Sequence, residues 1–286
     1  VPGGQDWTIR SSHLPAPVPC FVLTPPSYAA SRERRYPLLL FLHDGQGDER
    51  SLVRHGIAAD LSRRMREGSL PEIVVVSPGA PGSWFSDFHD GSQKWETFLT
   101  GDLLREVESG WRVRSDREGR GVTGISMGGY GAVKLGLRRP DLFATASGLS
   151  AALTTLSYDD VQGFPWFVRR DLLRVFGNAP GDNSFAENDV WEILAAAPES
   201  PRAAFELVSG TEDSYQVDRL AARFGARLVE RGFDARVVLT PGGHDWDYWR
   251  RAMPEVVLWH ARRFSYDGSS SPAAQGGPAA RATDTR

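Results

Sequence analysis

Cysteine and lysine are nearly absent from this sequence, and long apolar runs are missing altogether. The single cysteine, Cys20, excludes an intramolecular disulfide and any multi-cysteine metal site. It sits in the proline-rich segment Pro15-Ala16-Pro17-Val18-Pro19-Cys20, where a half-buried structural thiol is expected. No apolar stretch approaches the ~20 residues of a membrane span. The net charge of −3 gives no reason to expect nucleic acid or an anionic membrane surface as partner. No cluster of His, Cys and carboxylate residues has metal-ligand spacing, and no glycine-rich phosphate loop carries a lysine. Neither a metal nor a cofactor is therefore expected. No internal repeat or composition shift marks a second domain. No basic segment followed by an apolar stretch opens the sequence, so a cytoplasmic location is expected, or a secreted one if a signal peptide was removed before Val1.

What is present has the balance of a soluble globular protein: 41% hydrophobic and 24% charged residues, enough for a large core without disulfides. Of the 33 basic residues only Lys94 and Lys134 are lysines. The last 20 residues or so, 267–286, are Gly, Ser, Pro and Ala without apolar periodicity, which predicts a disordered tail. Residues 1–266 are expected to form a single domain.

Within it, short apolar runs alternate with helical patterns. Pro37 to His43 and Glu72 to Ser77 are almost continuously apolar, as strands buried on both faces are. Gly121–Gly124, Ala204–Val208 and Ala235–Leu239 are further strand candidates. Helix-spaced apolar residues occupy 95–109, 127–139 and 215–231, the last through Leu220, Phe224 and Leu228. This alternation predicts an α/β fold whose mostly parallel sheet has helices on both faces. Ligand sites in such sheets form beyond the carboxyl ends of the strands. The loops to search are 44–51, 77–94, 125–128, 147–165, 209–214 and 240–247.

The third of these holds Gly124-Ile125-Ser126-Met127-Gly128, after a strand and opening a helix. A G-x-S-x-G turn there strains the serine backbone, lets small neighbours relieve the crowding, and points Oγ into the cleft. Ser126 is the candidate nucleophile. A serine hydroxyl needs a base, and the base an orienting carboxylate. In chain order these follow the serine as acid, then histidine. Of six histidines only His244 and His260 lie far enough downstream. His260 falls within a helical pattern as a partly buried residue. His244, in Pro241-Gly242-Gly243-His244-Asp245-Trp246 after the last strand, is the candidate base. The loop Ser209-Gly210-Thr211-Glu212-Asp213 offers two acids, Glu212 and Asp213.

These residues resemble one esterase branch of the α/β hydrolases. It includes S-formylglutathione hydrolases (esterase D), tributyrin esterases, feruloyl and acetyl-xylan esterases, and mycolyltransferase antigens. The likeness runs over roughly residues 35–264. It rests on Leu38 to Gly47, Ser83-Trp84-Phe85-Ser86-Asp87, Lys94-Trp95-Glu96-Thr97-Phe98-Leu99, the run Gly124 to Ala132, Gly210-Thr211-Glu212-Asp213, and Gly242 to Trp246. The resemblance implies an α/β-hydrolase fold and a triad of Ser126, Asp213 and His244. It also implies an oxyanion hole made by the backbone N–H groups of Gln46 and Met127, each such donor being typically worth ~3 kcal/mol. The oxyanion loop lacks the cysteine of S-formylglutathione hydrolases, which argues against glutathione thioesters.

Trp84, Phe85 and Asp87, in the loop after the second strand, are candidates for the substrate pocket wall, as are Trp166 and Trp246. Residues from about 150 to 200 are expected to form a cap-like insertion. The pair Asp159-Asp160 fits a solvated turn better than a cation site. The function expected is a serine esterase acting on a small-molecule carboxylic ester, short acyl or aryl/sugar, through an acyl-enzyme. The alternatives are an acyltransferase using the same acyl-enzyme, and a non-catalytic binding protein on a hydrolase scaffold.

Overall fold

The computed structural model describes residues 1–266, and the expected tail, 267–286, lies outside them. Among the described residues eight strands form one sheet: Gly4–Ile9 (β1), Val18–Leu23 (β2), Leu38–Leu42 (β3), Val74–Pro78 (β4), Arg120–Ile125 (β5), Thr145–Leu149 (β6), Ala204–Gly210 (β7) and Ala235–Thr240 (β8). Their spatial order is β1-β2-β4-β3-β5-β6-β7-β8. β2 runs antiparallel to both β1 and β4, whereas every pair from β4 to β8 is parallel. The helices are Ser51–Arg54 (α1), Ile57–Arg66 (α2), Trp95–Thr100 (α3), Asp102–Gly110 (α4), Met127–Arg138 (α5), Tyr158–Gln162 (α6), Trp166–Phe176 (α7), Asn183–Asn188 (α8), Val190–Ala196 (α9), Val217–Glu230 (α10) and Trp246–Arg263 (α11). None among the described residues is long and apolar enough to cross a membrane.

β3 is apolar at every position, and its neighbours β4 and β5 are buried along their length, because each face of the sheet meets its own core. Leu38, Leu40 and Leu42 of β3 belong to the core that also takes in apolar residues of α4, α5 and α10 on one side. Leu39 and Phe41 pack with α2 and α11 on the other. The helical residues on those faces recur at helical spacing, as in Ile57, Leu61 and Met65 of α2. The segment 95–109 is two helices, parted at Gly101, whose backbone leaves the helical region.

Three strands, β1, β2 and β6, lie outside the apolar runs that predict strands. β2 emerges from the proline-rich segment, pairs on both edges and buries Cys20 to 1% exposure, so the thiol is fully rather than half buried. Burial, and then the nearby charge of Glu49, pushes it up to about 12, which leaves it protonated and unreactive. His260 is likewise wholly buried on α11, between the hydroxyls of Thr145 (2.7 Å) and Ser147 (2.8 Å). Desolvation pulls it down to about 3, so it stays neutral.

One buried carboxylate gives the fold a pH dependence. Glu206 of β7 is 2% exposed and accepts a bond from Arg236 Nε at 2.6 Å. Burial raises it to about 7, and Glu255 adds to this, against the charges of Arg236 and Arg263. Its folded value exceeds the unfolded one, so the folded state binds the extra proton between about pH 4.5 and pH 7. Stability from this group is therefore present at low pH and declines as pH rises through that window. In thermal melts from about pH 5 to about pH 8, Glu206→Gln is expected to lose less Tm with rising pH than the wild type. Parallel curves would refute the assignment.

Candidate active site

The carboxyl ends of β3, β5, β7 and β8 converge, and each supplies one piece of the site. After β5 the chain turns into α5 through Ser126, whose φ of 53° and ψ of −112° lie outside the regions favoured by L-residues. The glycines around it are required by close approach. A Cβ on Gly124 would strike the carbonyl of Gly128, and one on Gly128 would strike the carbonyls of Leu42 and His43. The turn thus fits only with hydrogen atoms at both flanks. It leaves the Met127 N–H at the first position of α5, among the helix-start donors that have no intrahelical acceptor.

His244 lies in the loop after β8 with Nε2 3.0 Å from Ser126 Oγ and Nδ1 2.6 Å from Asp213 Oδ2. The second Asp213 oxygen accepts the Tyr215 N–H at 2.9 Å. The Asp213 side chain is fully buried and His244 is 13% exposed at its side chain. A carboxylate at Nδ1 fixes the tautomer in which Nδ1 carries the proton and Nε2 accepts from the serine hydroxyl. Glu212, the rival acid, is exposed. Asp245, next to the histidine, caps α11 by accepting the Tyr248 N–H at 2.9 Å.

The loop after β3 is braced by His43. Its Nδ1–H donates to the Asp44 carbonyl and its Nε2 accepts the Ala80 N–H, both at 2.8 Å. Burial lowers its pKa, against the pull of Asp44 and Asp48, consistent with a neutral brace between two loops. The Gln46 N–H makes only a long 3.4 Å contact with Asp44 Oδ2.

The pocket candidates separate. Trp84 is 7% exposed, with its ring edge-on to Tyr130 at 5.6 Å. Phe85 has no exposed surface: it lies under Gly131 and against His43, so it belongs to the core rather than the pocket wall. Asp87 is also redirected, because its carboxylate accepts both the Thr97 N–H (3.0 Å) and the Thr97 hydroxyl (2.6 Å). Trp166 is 67% exposed at the start of α7, where its ring meets Phe167 and Arg170. Trp246 stacks face to face on His55 at 3.7 Å, one ring removed from His244.

The rings that do flank His244 carry no motif in the sequence: Tyr215 at 4.9 Å and Trp249 at 5.0 Å, both edge-on. The Trp249 Nε1–H donates to Ser150 Oγ at 3.1 Å. Trp249 stands one helical turn beyond Trp246, but that phase is set only once Asp245 is known to cap the helix. Residues between β6 and β7 make the four-helix excursion α6–α9. It is latched to the β4 loop by His89 N–H to Val175 O (2.8 Å) and Arg174 to Gly82 O (3.1 Å).

A mostly parallel sheet with a serine turn after β5 and the acid and histidine loops after β7 and β8 defines the α/β-hydrolase fold. Solved structures of other proteins share it. A ferulic acid esterase superposes with a TM-score of 0.77 at 25% identity, covering 92% of this chain and 98% of that one. An S-formylglutathione hydrolase from Staphylococcus aureus gives 0.72 at 20% identity, over 90% and 98%. The chain belongs to the family described as "Putative esterase", whose profile matches residues 11–260. It is 30% identical over 249 residues to an esterase of Mycobacterium tuberculosis, covering 78% of this chain and 51% of that protein. The chain thus spans about half the length of the curated relatives it matches first.

Proposed function

We propose that this chain is a serine esterase that hydrolyses a small-molecule carboxylic ester through an acyl-enzyme on Ser126. The observation that carries this reading is the hydrogen-bonded series Ser126 Oγ, His244 Nε2, His244 Nδ1, Asp213 Oδ2, drawn from the ends of three strands. As the hydroxyl attacks the ester carbonyl, His244 Nε2 takes its proton, and Asp213 stabilises the imidazolium that forms. The oxyanion meets the Met127 N–H and the Gln46 N–H, which gives up little on leaving its long contact with Asp44. His244 then protonates the departing alcohol, and in the second half-reaction it deprotonates water to release the acid. Tyr215 and Trp249, beside His244, and Trp84, beside Tyr130 one turn after Ser126, are the rings this reading offers to the substrate, with residues 150–200 as its cap.

Incubation with a fluorophosphonate probe is expected to label Ser126, located by peptide mass, and p-nitrophenyl acetate and butyrate are expected to be hydrolysed. A chain that neither reacts with the probe nor turns over any ester in a series of rising acyl length would be a binding protein on this scaffold. Transfer of the acyl group to an added alcohol or sugar faster than to water would make it an acyltransferase.

A further inference from the structure

In a chain that uses arginine almost everywhere, Lys134 is the exception inside the protein. It lies on α5, about two turns beyond Ser126, and is fully buried. Its Nζ meets three acceptors: Ser86 Oγ, Glu96 Oε2 at 2.9 Å and Asn188 Oδ1 at 3.2 Å. An ammonium has three donors on one compact centre, whereas a guanidinium spreads its donors over a planar fork. The slot therefore calls for lysine. The acceptors come from three places, the β4 loop, α3 and the end of α8.

Ser86 passes the restraint on. Having accepted from Nζ, its hydroxyl donates to the Trp84 carbonyl at 2.8 Å. Trp84 and Phe85 are consecutive non-glycine residues in the left-handed region, at φ 51° and 49°. Such a pair persists only when its surroundings hold it there. Trp84 in turn sets its indole against Tyr130, one turn after Ser126.

We propose that Lys134 is the positioning residue for the wall that Trp84 forms beside Tyr130 and the serine turn. Through Ser86 it locks the Trp84–Phe85 turn, and through Asn188 it draws the end of α8 against the same wall. The functional part of this inference rests on the esterase reading above. Lys134→Met tests it without stranding a bare carboxylate, because Glu96 keeps its 2.8 Å pair with Arg138. Ser86→Ala cuts the relay alone and serves where the lysine variant fails to fold.

In both variants the amides of 83–88 are expected to exchange hydrogen about tenfold faster than in the wild type. The ratio of kcat/KM for p-nitrophenyl octanoate over acetate is expected to fall about tenfold, through KM for the longer ester. Lys134→Arg is expected not to restore either. Unchanged exchange at 83–88 overturns the proposal, and so does an equal loss on both esters. If the wild type hydrolyses no ester, the esterase reading fails while the exchange data still decide whether Lys134 holds the turn.

Discussion

Ser126→Ala is expected to lower kcat for p-nitrophenyl butyrate by about a million-fold while leaving the melting temperature almost unchanged. The two halves of this expectation have different physical origins. Activity is expected to be lost because, in the proposed mechanism, Oγ is the atom that becomes acylated, and it is the hydroxyl bonded to His244 Nε2 among the described residues. The residual rate would come from the oxyanion donors and binding alone. Stability is kept because the Ser126 side chain makes no capping bond to α5. The turn is held by its backbone instead, through Ser126 N–H to Leu149 O at 2.9 Å and Ala152 N–H to Ser126 O at 3.2 Å. Alanine carries the same backbone strain as serine. Paired measurement of turnover and thermal melting checks both halves. A variant that retains more than about a thousandth of the wild-type kcat in a preparation free of other esterases would remove Ser126 from the mechanism.

The parts of this fold that were legible are those where burial writes itself into composition. β3 and β4 are runs of Leu and Val because both faces meet cores. The serine turn was legible because its sterics admit only glycine at 124 and 128. β6, Thr145-Ala146-Ser147-Gly148-Leu149, gave no comparable signal for a related reason. A Cβ on Gly136 of α5 would hit Ala146, and one on Gly148 would crowd Ala151. Helix and strand approach so closely there that small residues replace large apolar ones, which erases the usual strand signature. β2 was hidden by its prolines, which lie before it and at its second position, where pairing tolerates them. The candidate site divides the same way. Ser126, Asp213 and His244 stand in loops whose order and spacing carry meaning. Tyr215, Trp249 and Ser150 join them only through folding, and Phe85 and Asp87 leave the pocket because their surroundings claim them first.

His244 Nδ1 bonds to Asp213 rather than to its exposed neighbour Glu212, and this leads to the second large effect. Asp213→Asn is expected to reduce kcat by about ten thousand-fold, more than loss of one charge at that distance would suggest. The reason lies in the other oxygen. Asp213 Oδ1 accepts the Tyr215 N–H, so an asparagine placed here keeps its carbonyl oxygen at that position and turns its NH2 toward His244 Nδ1. An amide donor facing Nδ1 makes that nitrogen an acceptor and moves the ring proton to Nε2. His244 would then present a donor to Ser126 and could not take the serine proton, although every distance stayed the same. Asp213→Ala, which removes the side chain without imposing the wrong tautomer, is expected to be no more damaging in kcat than Asp213→Asn. Glu212→Gln, at the exposed neighbouring carboxylate, is expected to stay within about twofold of the wild type. Kinetics of the three variants on one p-nitrophenyl ester, with melting curves alongside, test the argument. A mild Asp213→Asn with a severe Glu212→Gln would reverse the assignment of the acid, and a mild effect in both would mean that His244 acts without an orienting carboxylate.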